Sequence, residues 1–279
     1  MVSLFHRKTL QPAWRYATSD VIWKLVYAEI GLLLGEHRNM ESKQASFFCL
    51  DARTGNVLWQ QLMLEEPWWI GMEAVEHDLV FFHRYAHPEL PEHKSIEARN
   101  CRTGELLWTN SDLIFWFALD DKVYANKNFF EKRVTYCLNA ATGEVLGECA
   151  DVAKEYAEAY KKKQETIVQY PVPMDSGDES ESVYRRIKKE WKDRLLLNSL
   201  ETIHAGDYDI AGFYTDERAN NDAPDYSAHL EIFRSNGLHA AYSVKLSEHL
   251  PIATPDLFFV AKNIVYCIDH QKTLLALSL

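Results

Sequence analysis

The sequence predicts an all-β fold of repeated antiparallel sheets, and two observations predict it. The first is a Thr-Gly turn between two apolar strands, which occurs at Thr54, Thr103 and Thr142. The second is the spacing of these turns, which at roughly 40 to 50 residues is the length of one propeller blade. We therefore expect a β-propeller of about five four-stranded antiparallel blades. A ring of about six blades is the alternative if the helical insertion described below contains one more strand pair.

Each repeat has the composition of a β-hairpin. An Asp or Asn opens the turn, where its side chain accepts hydrogen bonds from turn amides, and a glycine closes the turn at positive φ. A tryptophan at the end of the following strand is large enough to cover the seam between successive sheets. The residues that we expect to carry these structural roles are Asp51, Gly55, Trp59, Gly104, Trp108 and Gly143.

These repeats resemble the pyrroloquinoline-quinone-like propeller repeat, whose pattern Ala-x-Asp-x-x-Thr-Gly-x-x-x-Trp docks outer strands. Residues 47–59 match best, residues 95–108 keep Thr-Gly and Trp, and residues 134–147 have Gly147 in place of Trp. The resemblance implies a propeller fold and a short bacterial member of this group without the dehydrogenase site. The quinone dehydrogenases with this repeat are much longer and use a calcium-held cofactor, an Asp base and often a vicinal Cys-Cys disulfide. This sequence has no adjacent cysteines, so we predict no cofactor.

The apolar strand pairs that lead into the hairpins give the order of the blades. They occupy residues 21–38, 68–85, 113–130, 195–214 and 252–263. Residues 2–16 have the character of the outer part of a blade without its inner part. We expect them to add a strand beside residues 274–279, because closure of this kind removes exposed sheet edges.

The whole chain, residues 1–279, is predicted to be a single domain with a helical insertion at residues 151–194. Residues 151–163 are rich in strong helix formers. A second helix follows, for which Asp178 and Glu181 are a candidate capping box. The apolar stripe of this second helix consists of Val183, Ile187, Trp191 and Leu195.

The opposite face of the second helix is basic, in a chain whose net charge is −11. One interpretation is a helix packed on the propeller with a solvated polar face. The other is a surface that binds an acidic protein partner or a second copy of the acidic chain. The residues of this basic face are Arg185, Arg186, Lys188, Lys189 and Lys192.

Histidines cluster in the second repeat, and three of them are candidate metal ligands. His83 and His87 lie four residues apart and His93 follows them. Imidazole nitrogens bind divalent metals such as Zn²⁺. Because Pro88 and Pro91 place His87 and His93 in a loop, their spacing implies no particular geometry. Loop histidines without a metal are therefore the competing interpretation.

Three tryptophans, Trp23, Trp69 and Trp116, lie near the start of the first strand in successive repeats. Aromatic rings at these places either pack between blades or line the mouth of a channel that binds a small ligand or a peptide.

Composition narrows the classes of function. The negative net charge opposes binding to nucleic acid, and no apolar run approaches the roughly 20 residues that cross a bilayer. Met1 and the residues after it lack the features of a secretory signal, so we expect a cytoplasmic protein with reduced, buried cysteines. No phosphate-binding glycine loop or nucleophile elbow occurs in the sequence. We expect a non-catalytic scaffold that binds a protein or a ligand, and the alternative is a small-molecule or metal-dependent enzyme.

Overall fold

The protein folds into five antiparallel sheets, and the main strands of each sheet follow one another along the chain. The computed structural model describes residues 10–87, 90, 92–165, 167–174, 182–218, 223–237 and 239–279. Four consecutive antiparallel strands form one propeller blade, so the fold class is the predicted β-propeller of about five blades. The first strand in the chain is β1 (Pro12–Ala17), which belongs to the last sheet.

The first three sheets lie in a compact unit formed by residues 20–166. The first sheet consists of β2 (Val21–Ala28), β3 (Leu32–Asn39), β4 (Gln44–Asp51) and β5 (Val57–Leu62). The second consists of β6 (Ile70–Glu76), β7 (Leu79–Tyr85), β8 (His93–Asn100) and β9 (Leu106–Asn110). The third consists of β10 (Ile114–Leu119), β11 (Lys122–Asn128), β12 (Arg133–Asn139) and β13 (Val145–Cys149).

Apolar side chains from the middle strands fill the space between these sheets. Phe47 of the first sheet meets Phe82 of the second edge to face, with 4.8 Å between ring centroids. On the other face of the second sheet, the ring of Phe81 lies 5.2 Å from that of Phe115 in the third. The middle strands read as apolar runs because both of their faces are covered.

The predicted seam tryptophans connect each sheet to the next turn. Trp59 donates its indole N–H to the carbonyl of Cys101 at 2.7 Å, and Trp108 donates to the carbonyl of Ala140 at 2.8 Å. Each ring lies against the turn glycine of the following sheet, Gly104 and Gly143 respectively. Trp108 is buried and Trp59 is half-buried, so the packing is tighter at Trp108, and the seam role of both stays a prediction.

The first helix, α1 (Ala153–Gln164), packs on the face of the third sheet that carries Phe117 and Tyr124. Val152, just before the helix, is buried against Phe117 and Leu119. Tyr156 stacks on Trp116, with 5.3 Å between ring centroids and 24° between ring planes. The helix predicted over residues 151–163 is therefore confirmed, with its apolar side against β10.

The second compact unit combines residues 1–19 with residues 167–279. Its first elements are β14 (Val168–Gln169), β15 (Val172–Pro173) and α2 (Ser182–Trp191). The fourth sheet adds β16 (Glu201–Ala205), β17 (Tyr208–Asp216), β18 (Tyr226–Arg234) and β19 (Ala240–Leu250). The fifth adds β20 (Phe258–Ala261), β21 (Ile264–Asp269) and β22 (Thr273–Ser278).

Two short pairings make the last two sheets larger than predicted. As expected, β1 pairs antiparallel with β22, so the start of the chain supplies the last sheet's outer strand. In addition, β14 pairs with β20 and β15 pairs with β16. Both sheets therefore have five strands where four were predicted. The additions cover the backbone edges of β20 and β16, which would otherwise present unpaired amides and carbonyls.

The stripe predicted on the second helix is the side of α2 that packs against the fourth sheet. Val183, Ile187 and Leu195 are buried together with Phe213 and Phe233. The candidate capping residues Asp178 and Glu181 lie outside the described residues. Because α1 and α2 fall in different compact units, the predicted insertion at residues 151–194 is divided between the two units. The prediction that residues 1–279 form a single domain stays a prediction.

The cysteines are free thiols, as predicted, and four of the five are buried. Burial raises the pKa of both Cys49 and Cys101 to about 12. No helix in the described parts of the chain is long and apolar enough to cross a membrane.

Candidate functional site

The first strands of the first three sheets share a β-bulge at the same place. The register shifts around Trp23 in β2, around Glu73 in β6 and around Trp116 in β10. A bulge sets two residues against one on the neighbouring strand and turns a side chain in a new direction. Glu73 is therefore the carboxylate at a position that carries tryptophan in the other two sheets.

A buried polar residue faces each of these bulges from the second strand of the sheet. Arg38, His83 and Asn126 each pair with the residue two places before the bulge, and all three are buried. Arg38 donates to Glu36 and to two backbone carbonyls, and Asn126 accepts a hydrogen bond from Thr135. Nε2 of His83 has no hydrogen-bond partner in the described structure, whereas its Nδ1 faces the carboxylate of Glu73. This buried Nε2 atom thus departs from the rule that buried polar groups are paired.

Glu73, His83 and His93 form a compact cluster at this bulge. One carboxylate oxygen of Glu73 lies 2.6 Å from Nδ1 of His83 and 2.8 Å from Nδ1 of His93. The two imidazoles are stacked, with 3.5 Å between centroids and 7° between planes. One potential ligand atom from each residue lies within 4.8 Å of the other two. The cluster is therefore the arrangement in the described residues best suited to hold a metal ion.

Backbone geometry makes room for the buried imidazole. Gly71 lies directly opposite His83 in the sheet register. A Cβ atom at Gly71 would come within 3.0 Å of Cε1 and 3.2 Å of Nε2 of the His83 ring. Only glycine leaves this space, so Gly71 belongs to the site although it offers no ligand.

The charges in the cluster act on one another. Burial favours the neutral form of Glu73, but the two imidazoles outweigh it, and the pKa of Glu73 is lowered. Burial is the largest cause that lowers the pKa of His93, and His83 adds to it, while Glu73 opposes both. The cluster therefore favours an ionised carboxylate beside a neutral imidazole at His93, which are the forms that bind metals.

The cluster differs in one member from the predicted metal ligands. His83 and His93 come together as two of the predicted three, whereas His87 is exposed in the loop between β7 and β8 and is not part of the cluster. Glu73 takes its place. The loop brings His93 back to the start of β8, where it pairs with Tyr85 across the sheet, so the contact depends on strand pairing rather than on sequence spacing.

The three predicted tryptophans lie in separate surroundings. The guanidinium of Arg38 lies 5.6 Å from the ring of Trp23, which is 61% exposed. Trp69 meets Tyr85 edge to face, and Trp116 stacks on Tyr156 of α1. Among the described residues, no ring contact joins any two of these tryptophans. The channel-mouth hypothesis for them stays a prediction.

The predicted basic face divides into two parts. Arg186 turns towards the fourth sheet, where its guanidinium lies 3.7 Å from a carboxylate oxygen of Asp209 and donates to the carbonyl of Ser235 at 3.1 Å. Lys188 donates to the hydroxyl of Tyr184 at 3.2 Å. The three other basic residues of this face are exposed and make no ion pair within the described chain; they are Arg185, Lys189 and Lys192.

Comparisons with known proteins found one family model that matches part of the chain. A family model described as "Domain of unknown function (DUF4905)" matches residues 27–108, which include the cluster of Glu73, His83 and His93. No curated protein matches the chain.

Several solved structures are similar to the chain at low identity. The structure of the Dos1 propeller has a TM-score of 0.32 and 9% identity, over 94% of this chain and 69% of that one. BBS1N in complex with ARL6DN has a TM-score of 0.26 and 8% identity, over 92% of this chain and 64% of that one. The β-propeller domain of the Trilobed protease from Pyrococcus furiosus has a TM-score of 0.29 and 8% identity, over 90% of this chain and 64% of that one. This chain thus spans under two thirds of the last two. The fold class rests on the strand order of the five sheets rather than on these likenesses.

Proposed function

We propose that the protein is a non-catalytic propeller scaffold that binds an acidic protein surface through the exposed basic residues at α2. The observation that carries this proposal is the exposure of Arg185, Lys189 and Lys192 without an ion pair in the described structure. In a chain of net charge −11, this local positive group attracts acidic partners and repels basic ones.

The anchoring of α2 supports the same role. Val183 and Ile187 are buried on one side of the helix, and Arg186 is held by Asp209 and by the Ser235 carbonyl. A helix that is already fixed loses little conformational freedom when a partner binds to its outer face. Arg186 therefore serves the fold, and the residues that meet the partner are Arg185, Lys189 and Lys192.

The blades themselves are the frame for this surface. We propose that they belong to the pyrroloquinoline-quinone-like repeat type without its dehydrogenase site. The docking of Trp59 on Cys101 and of Trp108 on Ala140 supports this assignment, since the repeat pattern places tryptophan at such contacts.

Charge reversal on α2 tests the binding proposal. The variant Arg185→Glu with Lys189→Glu should lose most of its binding to a fluorescently labelled polyglutamate peptide, measured by anisotropy at low ionic strength where exposed charges are least screened. The matched control is Lys154→Glu with Lys163→Glu on α1, because both of those lysines are exposed and the net charge changes equally. Equal weakening in both variants would attribute binding to overall charge and contradict a site on α2. Light scattering of the same proteins tells whether a second copy is the acidic partner.

A further inference from the structure

Three potential metal ligands from three different strands of the second sheet meet at one point. Glu73 comes from β6, His83 from β7 and His93 from β8. Their candidate ligand atoms lie within 4.8 Å of one another. Ligand atoms at about 2.0 to 2.2 Å from a zinc ion lie within a similar distance of each other. Small side-chain movements are therefore enough for the three to share one ion.

The contacts with Glu73 leave one buried nitrogen of the cluster without a partner. Both Nδ1 atoms lie close to the same oxygen of Glu73, whereas Nε2 of His83 is buried without a hydrogen-bond partner in the described structure. Buried polar atoms without a partner are unfavourable. The equivalent buried residues of the neighbouring sheets, Arg38 and Asn126, each have a side-chain hydrogen-bond partner. Among these three buried residues, His83 is thus the one with a side-chain nitrogen that is buried and unpartnered in the described structure.

The donor set indicates the class of ion. Two imidazole nitrogens and one carboxylate oxygen suit zinc and related divalent transition metals, whereas Mg²⁺ and Ca²⁺ prefer oxygen ligands alone. We infer that Glu73, His83 and His93 bind one divalent transition-metal ion of the Zn²⁺ type. The side chains of Glu73 and His93 are 21% and 29% exposed, so the ion reaches the site from solvent. Three protein ligands leave a fourth position open to water or to a small anionic ligand.

The site lies at a position that recurs in the first three sheets. The bulge that presents tryptophan in the first and third sheets presents Glu73 in the second. Gly71 opens the space that the His83 ring occupies. The site therefore needs a carboxylate at the bulge, a histidine opposite it and a glycine between them, all within one blade.

Zinc titration of the tag-free, chelator-treated full chain tests the inference. Competition against a chromophoric zinc chelator should give one tightly bound Zn²⁺ per chain, which excess Mg²⁺ does not displace. His93→Ala and Glu73→Gln should each weaken zinc binding by about 100-fold or more, because loss of an outer-shell partner alone costs about 10- to 100-fold. His87→Ala is the matched control, because His87 is an exposed histidine of the adjoining loop, and it should bind zinc as the wild type does.

A chain with 11 histidines has other weak sites, so the variants decide the outcome. Wild-type affinity in both His93→Ala and Glu73→Gln would overturn the inference, as would a wild-type protein that cannot compete with the chelator. Because His83 is buried, His83→Ala is used only if far-UV circular dichroism shows that it folds. The half-exposed His93 keeps the test independent of that variant.

Discussion

The turn glycines show how much a single backbone position constrains this chain. Gly55, Gly104 and Gly143 have φ values of 74°, 73° and 74°, as the Thr-Gly turns predict. The opening residues Asp51 and Asn139 accept hydrogen bonds from the amides of Thr54 and Thr142 at 2.8 and 3.0 Å. These turns could be predicted because their chemistry is local: positive φ favours glycine, and a short polar side chain closes the turn.

Gly143→Ala should destabilise the fold more than a change of backbone conformation alone would. A Cβ atom at Gly143 would lie 2.6 Å from Cδ2 of Trp108. Gly31 also has a positive φ, but a Cβ atom there would have no neighbour within 4 Å, so only backbone strain would result. We expect Gly31→Ala to lose about 1 kcal/mol of unfolding free energy and Gly143→Ala to lose at least about 2 kcal/mol, because the indole must also move. Urea denaturation of both variants measures the difference. Equal losses would mean that Trp108 relaxes freely.

Trp108→Ala should be among the most destabilising single substitutions. The indole is 8% exposed and bonds to the carbonyl of Ala140, so truncation should lose about 3 to 5 kcal/mol of unfolding free energy. Trp108→Phe separates the hydrogen bond from the burial of the ring, since it keeps an aromatic ring and loses the N–H donor. Loss of the hydrogen bond should cost about 1 kcal/mol of unfolding free energy, and the smaller ring adds a cost for the lost buried area. A melting temperature for Trp108→Ala that matches the wild type would contradict the seam role.

The α2 helix covers a carboxylate that is poorly suited to ionisation. Trp191 donates its indole N–H to Glu231 at 3.2 Å, and burial raises the pKa of Glu231 to about 7. The nearby His229 has its pKa lowered by burial to about 4. Both groups are therefore uncharged between about pH 4 and pH 7; Glu231 gains charge as pH rises above that range, and His229 gains charge as pH falls below it.

Glu231→Gln should stabilise the protein at high pH and leave it nearly unchanged at low pH. An acid with a folded-state pKa above its unfolded value of 4.5 holds its proton more tightly when folded. Its contribution to stability is present below pH 4.5 and is lost as pH rises through about 7. The glutamine variant has no carboxyl group to ionise and avoids this loss. At pH 8 its free energy of unfolding should therefore exceed that of the wild type by on the order of 1 to 2 kcal/mol, after allowance for solvent screening.

Urea denaturation of wild type and Glu231→Gln at pH 4 and pH 8 measures this difference. His229 is present in both proteins, so its opposite pH dependence cancels. A glutamine variant that is less stable than the wild type at pH 8 would mean that the ionised carboxylate is stabilised by its partners, against the burial argument.

Elements formed by regular patterns could be predicted, and those formed by pairing could not. The apolar side of α1 and the stripe on α2 follow helical periodicity, and both helices lie where it places them. By contrast β14 and β15 have two residues each, too few for an alternating pattern. Glu73 could not be predicted as a site residue because a bulge arises from strand register. In addition, loops of unequal length separate the bulge from the Thr-Gly turn that marks each repeat.

The division into two compact units places the beginning and the end of the chain together. Residues 1–19 and 167–279 form one unit, and the intervening residues 20–166 form the other. The pairing of β1 with β22 ties the chain start to its end. The predicted single domain requires that the two units unfold together, which a substitution confined to one of them can test.

Leu275→Ala should shift the unfolding of the whole chain. Leu275 is fully buried in β22, so its truncation should lose about 2 to 5 kcal/mol of unfolding free energy. Six of the eight tryptophans lie in residues 20–166, so fluorescence mainly reports the unit that does not contain Leu275, while far-UV circular dichroism reports both. If the chain is one cooperative domain, the two probes give coincident transitions that move by the same amount in the variant. A fluorescence midpoint that stays at the wild-type value while part of the dichroism signal moves would show that the units unfold separately, and the single-domain prediction would be wrong.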